Sequence, residues 1–163
     1  MTKQPRPSRA RMTPGYGITD TPRDADWNEI TAKIERSRNY WVCTTRRDGR
    51  AHAIPVWGLW LDDAVYFSTD PQSVKGQNLR RRPNVVVHLE SGDDVVIIEG
   101  KVERVTDHET LVRFADAYNA KYAFRPDPDD QSGLTLRLAP VVVHTWTEQD
   151  FPNSAMRWDF DEQ

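Results

Sequence analysis

The chain contains one cysteine, Cys43, and no apolar run that approaches the ~20 residues of a membrane-spanning helix. A single cysteine excludes an internal disulfide framework and is typical of a reducing compartment, so we expect a cytoplasmic protein without a membrane partner. Neither sign of charge dominates, because 22 lysines and arginines stand against 25 aspartates and glutamates, for a net charge of −3. This balance argues against a dedicated nucleic-acid binder.

Metal-ligand spacings are also missing. The four histidines, at positions 52, 88, 108 and 144, are widely separated, and none belongs to an HxxxH, HExxH or Cys/His pattern. Because a protein zinc site needs several such ligands at short spacings, we expect no metal site. Only His52 adjoins a segment to which we assign a ligand, as described below.

The first 26 residues hold four prolines, several arginines and little hydrophobicity, and they lack the apolar core of a secretory signal. The arginines are also typical of a mitochondrial presequence, although Asp20, Asp24 and Asp26 argue against one. We therefore expect a mobile N-terminal arm over residues 1–26, followed by one domain over residues 27–163.

Within that domain, short aromatic and β-branched runs alternate with turn signals. We expect six or so strands, over residues 40–45, 50–61, 64–69, 85–89, 95–106 and 134–146, followed by an irregular tail. Helical spacing predicts a first helix from Trp27, another over residues 73–81 and a third after Asp107. Hairpin-linked strands with few helices indicate an antiparallel β-barrel.

The segment Tyr66–Pro83 is the most informative, because it runs from a strand through a polar turn into a helix. Ser68, Thr69 and Ser73 supply hydroxyls, and Lys75 lies in the first helical turn. A helix start offers unpaired N–H groups and the positive end of the helix dipole, which favour a phosphate. The pattern therefore predicts a phosphate site, and a capped surface helix with a solvated basic end is the alternative.

Pro55 lies inside the second predicted strand, where a missing N–H interrupts a central ladder. A bulge or an edge position explains such a proline. A functional alternative is that a flat ring lies against the backbone of Ile54–Trp57.

In the order and spacing of three segments, DGRAHAIPVWG, FSTDPQSVKGQNLRRRPNVVV and IIEGKVERVTD, the chain resembles the pyridoxamine 5′-phosphate oxidase-like proteins. That resemblance implies a mainly β fold, the six-stranded antiparallel split β-barrel of the FMN-binding type, and a homodimer with shared cofactor sites. It also implies a set of flavin-binding residues: Ile54, Pro55, Val56, Trp57, Ser68, Thr69, Ser73, Lys75, Trp146 and Arg157. No residue is expected to be catalytic in its own right, because the cofactor's N5 carries the hydride.

The oxidase proper holds its substrate's phosphate and pyridine with an Arg and a His just before the final Arg, where this chain has Asn153, Ser154 and Ala155. A neutral segment lacks the bidentate charge pair, so we do not expect oxidation of pyridoxamine phosphate. The resemblance implies an oxidoreductase for another small molecule, with FMN as the first choice of cofactor because Trp146 and Arg157 match. Coenzyme F420 is the alternative, since Arg46, Arg47, Arg50 and residues 80–82 could receive its acidic tail. A flavin, F420 or haem binding or sensing module without turnover and a dimeric scaffold with a decayed site remain the other interpretations.

Overall fold

The computed structural model describes residues 4–19 and 24–160. Residues 1–3 and 20–23 of the predicted arm, and residues 161–163 of the predicted domain, lie outside the described residues. Nine strands are present in the described part of the chain: β1 (Arg6–Arg9), β2 (Asn39–Thr45), β3 (Ala51–Trp57), β4 (Leu59–Leu61), β5 (Ala64–Thr69), β6 (Asn84–His88), β7 (Asp94–Arg104), β8 (Leu134–Thr147) and β9 (Met156–Asp159). Three α-helices accompany them: α1 (Trp27–Arg36), α2 (Val74–Arg81) and α3 (His108–Tyr122).

All strand pairs are antiparallel, which confirms the predicted mainly β architecture. The sheet order is β1-β9-β8-β7-β6-β2-β3, and β5 joins it by pairing with both β4 and the first half of β8. Because β8 pairs with β5 and β7 near its start and with β7 and β9 near its end, this one long strand links both parts of the barrel.

The alternation of side chains across the strands divides the sheet into a core face and an outer face. One row of cross-strand partners, Val42, Val87, Ile98, Val143 and Trp158, is at most 2% exposed and crosses five strands. The adjacent row, Trp41, His88, Ile97, His144 and Arg157, lies on the outer face and is only partly buried.

The sequence-based elements differ from the structure at three places. Residues 50–61 form two strands, because the chain breaks at Gly58. The tail that we expected to be irregular contains β9, which pairs with β8. Arg6–Arg9 of the predicted arm form β1 on the other side of β9, so the sheet extends into that segment. Of the described helices, none combines the length and the apolar character that crossing a membrane requires.

Candidate functional site

The turn between β5 and α2 is built from hydroxyl groups. Ser73 is the N-cap of α2: its Oγ accepts from the N–H of Gly76 at 3.1 Å and donates to the carbonyl of Asp70 at 2.7 Å. The Oγ1 of Thr69, which is buried, lies 2.8 Å from the Oγ of Ser73. Ser68 lies on the opposite face of β5, with its Oγ 3.2 Å from the Oγ1 of Thr135. The turn therefore brings Thr69, Ser73 and Lys75 together and leaves Ser68 apart.

Lys75 lies in the first turn of α2 and is half-buried. Burial lowers the pKa of Lys75, and the nearby charge of Asp70 acts in the opposite direction. The pKa of His52, on β3, is lowered by burial and then by the positive charges of Arg46 and Lys75. Lys75, His52 and Arg46 thus come from three different elements and share one region. The lowered pKa keeps His52 neutral, and the two cations, Lys75 and Arg46, favour a bound anion.

A buried polar chain fixes α2 against the strands. The Nδ2 of Asn78 donates to the Oγ1 of Thr44 at 2.9 Å, and this oxygen lies 3.4 Å from the Nδ1 of His52. Asn78 and Thr44 are each 5% exposed. We missed both residues in the sequence, although an asparagine inside a short helix is a signal, because its helix propensity is low. Asn78 and Thr44 therefore hold α2, the helix that carries Lys75, next to β3.

The predicted ring-lining segment, residues 54–57, lies on β3, an edge strand that pairs only with β2 among the described residues. The β2–β3 register is continuous, with Pro55 opposite Trp41, so an edge position rather than a bulge explains the proline. Ile54 is 37% and Trp57 39% exposed, and Val56 packs partly against the core. The segment therefore presents open backbone and apolar side chains at the edge of the sheet.

Trp57 is held in place by aromatic and cationic neighbours. Its ring stacks on Tyr122 with a centroid distance of 4.6 Å and an interplanar angle of 4°, and the guanidinium of Arg38 lies 5.1 Å from its centroid. A side chain fixed by such contacts gives the far end of β3 a defined shape.

A basic pocket of about 560 Å³ opens beside this region. Four arginines line it: Arg46, Arg47, Arg50 and Arg81. Of these four arginines, only Arg50 forms an ion pair with another described residue, Asp48, at 2.8 Å. Arg80 and Arg82, which the sequence grouped with Arg81, are not among its lining residues. The pocket therefore carries unbalanced positive charge.

Trp146 and Arg157 do not join this group. Thr69 pairs with Leu134, and Trp146 lies twelve residues further along β8 (134 to 146), which corresponds to roughly 40 Å of strand. Trp146 contacts Phe151 there at a centroid distance of 6.5 Å. Arg157, on β9, pairs with Asp159 at 2.7 Å. Within one chain, these two residues lie at the other end of the sheet from Lys75.

Comparison with known proteins agrees with the architecture. The chain matches a conserved hypothetical protein, Rv2991 of Mycobacterium tuberculosis, at 25% identity and a TM-score of 0.68, over 77% of this chain and 87% of that one. It shares its fold with an F420 reductase, at 20% identity and a TM-score of 0.58, over 76% of this chain and 98% of that one. It also shares its fold with General Stress Protein 26 of Bacillus anthracis, at 24% identity and a TM-score of 0.61, over 72% of this chain and 91% of that one. No curated protein matches. The family model of pyridoxamine 5′-phosphate oxidase matches residues 27–147, and the chain therefore belongs to this family, as the sequence predicted.

Proposed function

We propose that the protein is an oxidoreductase that binds a phosphate-bearing flavin or deazaflavin between α2 and the open edge of β3. The observation that carries this proposal is that Arg46 lines one pocket with Val74 and Asn78, the neighbours of Lys75 on α2, and that hydrogen-bond contacts from Asn78 through Thr44 to His52 join this helix to β3. When bound, the cofactor supplies the hydride chemistry, and the protein supplies binding, orientation and exclusion of water.

The donor set fits such a cofactor. Lys75 and Arg46 provide two positive charges for a phosphate, and neither has an ion pair among the described residues. From His52 to Pro55 the strand advances by about 10 Å, which leaves room for a sugar-alcohol chain between the phosphate and the ring. For Ser73 we propose a role in shaping the turn, because its Oγ lies 2.7 Å from the carbonyl oxygen of Asp70 and accepts from the N–H of Gly76.

Between the two cofactors we favour F420 over FMN. The sequence pointed to FMN through Trp146 and Arg157, and because the second copy of a homodimer would supply both, their distance from Lys75 within one chain does not decide between the cofactors. The basic pocket, in contrast, adjoins Lys75 through Val74 and Asn78 of the same helix and holds arginines without counterions. An acidic oligoglutamate tail is complementary to such a pocket, whereas FMN, with its phosphate at Lys75 and Arg46, has no further acidic group for Arg47 and Arg81.

We further propose that the functional unit is a homodimer. The apolar edge of β3 and the outer sheet face, where Val141 is 47% exposed, present surface that a second copy would cover. In such a dimer, Trp146 and Arg157 of the second copy are the ones in position to complete the site. Native mass spectrometry of the purified protein tests this, and a monomer at all accessible concentrations would contradict it.

Cofactor binding is tested by titrating the purified protein with F420 and, separately, with FMN. We expect Lys75→Met to weaken binding of either cofactor about 10- to 100-fold, because one charge-assisted contact with the phosphate is lost. The matched control is Lys101→Met, which removes an exposed lysine of β7. Equal affinity of the Lys75→Met variant and the wild type for a cofactor would contradict the proposed phosphate site.

The choice of cofactor has its own test. The double variant Arg47→Met, Arg81→Met should weaken F420 more than FMN, because only F420 carries the acidic tail and Arg46, the phosphate contact of both cofactors, stays in place. An equal loss for both cofactors would contradict the role of the basic pocket and return FMN to first place.

Turnover is measured by reducing the bound cofactor anaerobically and adding quinones, enones or biliverdin-like pigments. Reoxidation no faster than in buffer would favour a binding module over an enzyme.

A further inference from the structure

A separate pocket of about 370 Å³ opens at the end of the barrel where β7 finishes and β8 begins. Its wall is aliphatic, and four of its residues are Leu79, Val102, Leu134 and Leu136. Leu79, Val102 and Leu136 are 4–7% exposed, so the wall belongs to the core. The mouth of a β-barrel is a common position for a small-molecule site, and this volume lies in the usual range.

The pocket is bounded by well-packed backbone. A Cβ at Gly76 would lie 2.4 Å from the carbonyl oxygen of Asp70 and 3.1 Å from the Cα of Pro71. α2 therefore packs directly on the turn before it, and Pro71 and Gly76 both line the pocket. On its other side, α2 is held by the buried hydrogen bond from Asn78 to Thr44. The shape of the pocket is thus fixed by the same contacts that fix the helix.

Two arginines also line this aliphatic pocket: Arg80 from the last turn of α2 and Arg104 from the end of β7. Neither guanidinium has an ion pair within the described chain. Arg104 shares a face of the sheet with Leu136, its cross-strand partner, whereas Glu103 lies on the opposite face beside Arg137. The carboxylate nearest in sequence therefore does not neutralise this edge of the pocket.

Apolar walls and two unpaired guanidiniums together define the chemistry of a ligand. The walls favour an alkyl group, and a guanidinium binds a carboxylate through two parallel hydrogen bonds. The volume equals about twelve times the ~30 Å³ that one water occupies in the liquid, and a methylene group is of similar size. A carboxylate group together with an alkyl chain of about eight to ten carbons therefore fills it.

We propose that this pocket binds a medium-chain monocarboxylate, with its alkyl tail among Leu79, Val102 and Leu136 and its carboxylate between Arg80 and Arg104. The site is distinct from the cofactor region. At 100° per residue, Gly76, Leu79 and Arg80 lie on the face of α2 opposite to Val74, Asn78 and Arg81, which line the basic pocket.

Isothermal titration calorimetry of the full chain with octanoate and with 1-octanol tests the proposal, because the two probes share a tail and differ in charge. We expect one octanoate to bind per chain with a dissociation constant on the order of 0.1–1 mM. We expect 1-octanol to bind at least about tenfold more weakly than octanoate. Absence of saturable octanoate binding, or equal affinity for the two probes, overturns the proposal.

Variants locate the binding. The double variant Arg80→Met, Arg104→Met should lower octanoate affinity to that of 1-octanol, and Leu134→Phe, at a half-buried position, should weaken both probes by filling the pocket. The control Arg82→Met, Lys101→Met removes two positive charges at exposed positions outside this pocket. An equal loss in the control would mean general attraction to a basic surface, which also overturns the proposal. Thermal unfolding of each variant checks that the compared proteins are folded.

Discussion

Lys121 is a cation held inside an aromatic cluster next to the far end of β3. Its Nζ donates to the hydroxyl of Tyr40 and to the carbonyl of Gly58, both at 3.1 Å. It also lies 4.9 Å from the ring centroid of Tyr40 and 5.4 Å from that of Tyr122. Burial lowers the pKa of Lys121 to about 8, and the charge of Glu35 opposes this shift. At neutral pH the ammonium group of Lys121 is therefore charged, although its partly buried surroundings disfavour the charge.

The consequence for stability has a definite sign. Between about pH 8 and pH 10.5, Lys121 is largely neutral in the folded protein and charged in the unfolded chain. The unfolded state then binds more protons, so the free energy of unfolding contributed by this group rises with pH. Between pH 7 and about pH 9.5 the lowered pKa corresponds to about 2 kcal/mol, and because Lys121 is partly exposed, solvent screening reduces the expected change to about 1 kcal/mol.

Urea unfolding of the wild type and of Lys121→Met at the two pH values measures this change. Taking the difference between the two proteins removes the contributions of groups that do not contact Lys121, such as Cys43, whose pKa burial raises. We expect the stability of the variant relative to the wild type to fall by about 1 kcal/mol on going to the higher pH. Lys101→Met is the control, at an exposed lysine. A difference that stays constant between the two pH values refutes the reasoning.

Two further predictions concern the elements around the site. Gly58→Ala should destabilise the protein by about 1–3 kcal/mol in urea unfolding, because its Cβ would lie 2.9 Å from the carbonyl oxygen of Tyr66 and 3.1 Å from the Tyr40 ring. Gly92→Ala, whose Cβ meets nothing within 4 Å, is the control, and equal effects would contradict the steric argument. Ser73→Ala should cost about 1 kcal/mol of stability through loss of the N-cap and should weaken cofactor binding less than Lys75→Met does. A loss of affinity as large as that of Lys75→Met, without loss of stability, would show that Ser73 binds the phosphate directly.

The elements around the predicted phosphate site were well predicted because their signals are local. β5 runs from Ala64 to Thr69, as predicted, and Ser73 caps α2, which ends at Arg81. The turn at Asp62 and Asp63 also follows from the sequence, since both residues adopt positive φ values that aspartate tolerates in tight hairpins. Caps and tight turns depend on a few neighbouring residues, and the sequence contains all of them.

The remaining features depend on contacts between distant segments. β9 contains two polar residues in four, and it becomes a strand because Trp158 fills the core opposite Val143. β4 separates from β3 because Gly58 packs against the backbone of Tyr66 and the ring of Tyr40. Neither contact has a local pattern. For the same reason, the sequence could name Trp146 and Arg157 as flavin-binding residues but could not give their distance from Lys75 within one chain, which depends on the register of β8.

The length of β8 also connects the fold to the proposed function. A strand of 14 residues that carries β5 at one end and β9 at the other separates the phosphate end of the site from Trp146 by most of its length. If Trp146 and Arg157 contact the cofactor at all, a second copy must bring them, because the ladder between β7 and β8 is continuous except at Glu99 and Gly100. The arginines beside α2 need no second copy, since Arg46 and Arg81 line the same pocket within one chain. Cofactor affinity that depends on Arg46 and Arg81 but not on protein concentration would therefore place the binding energy in the single chain.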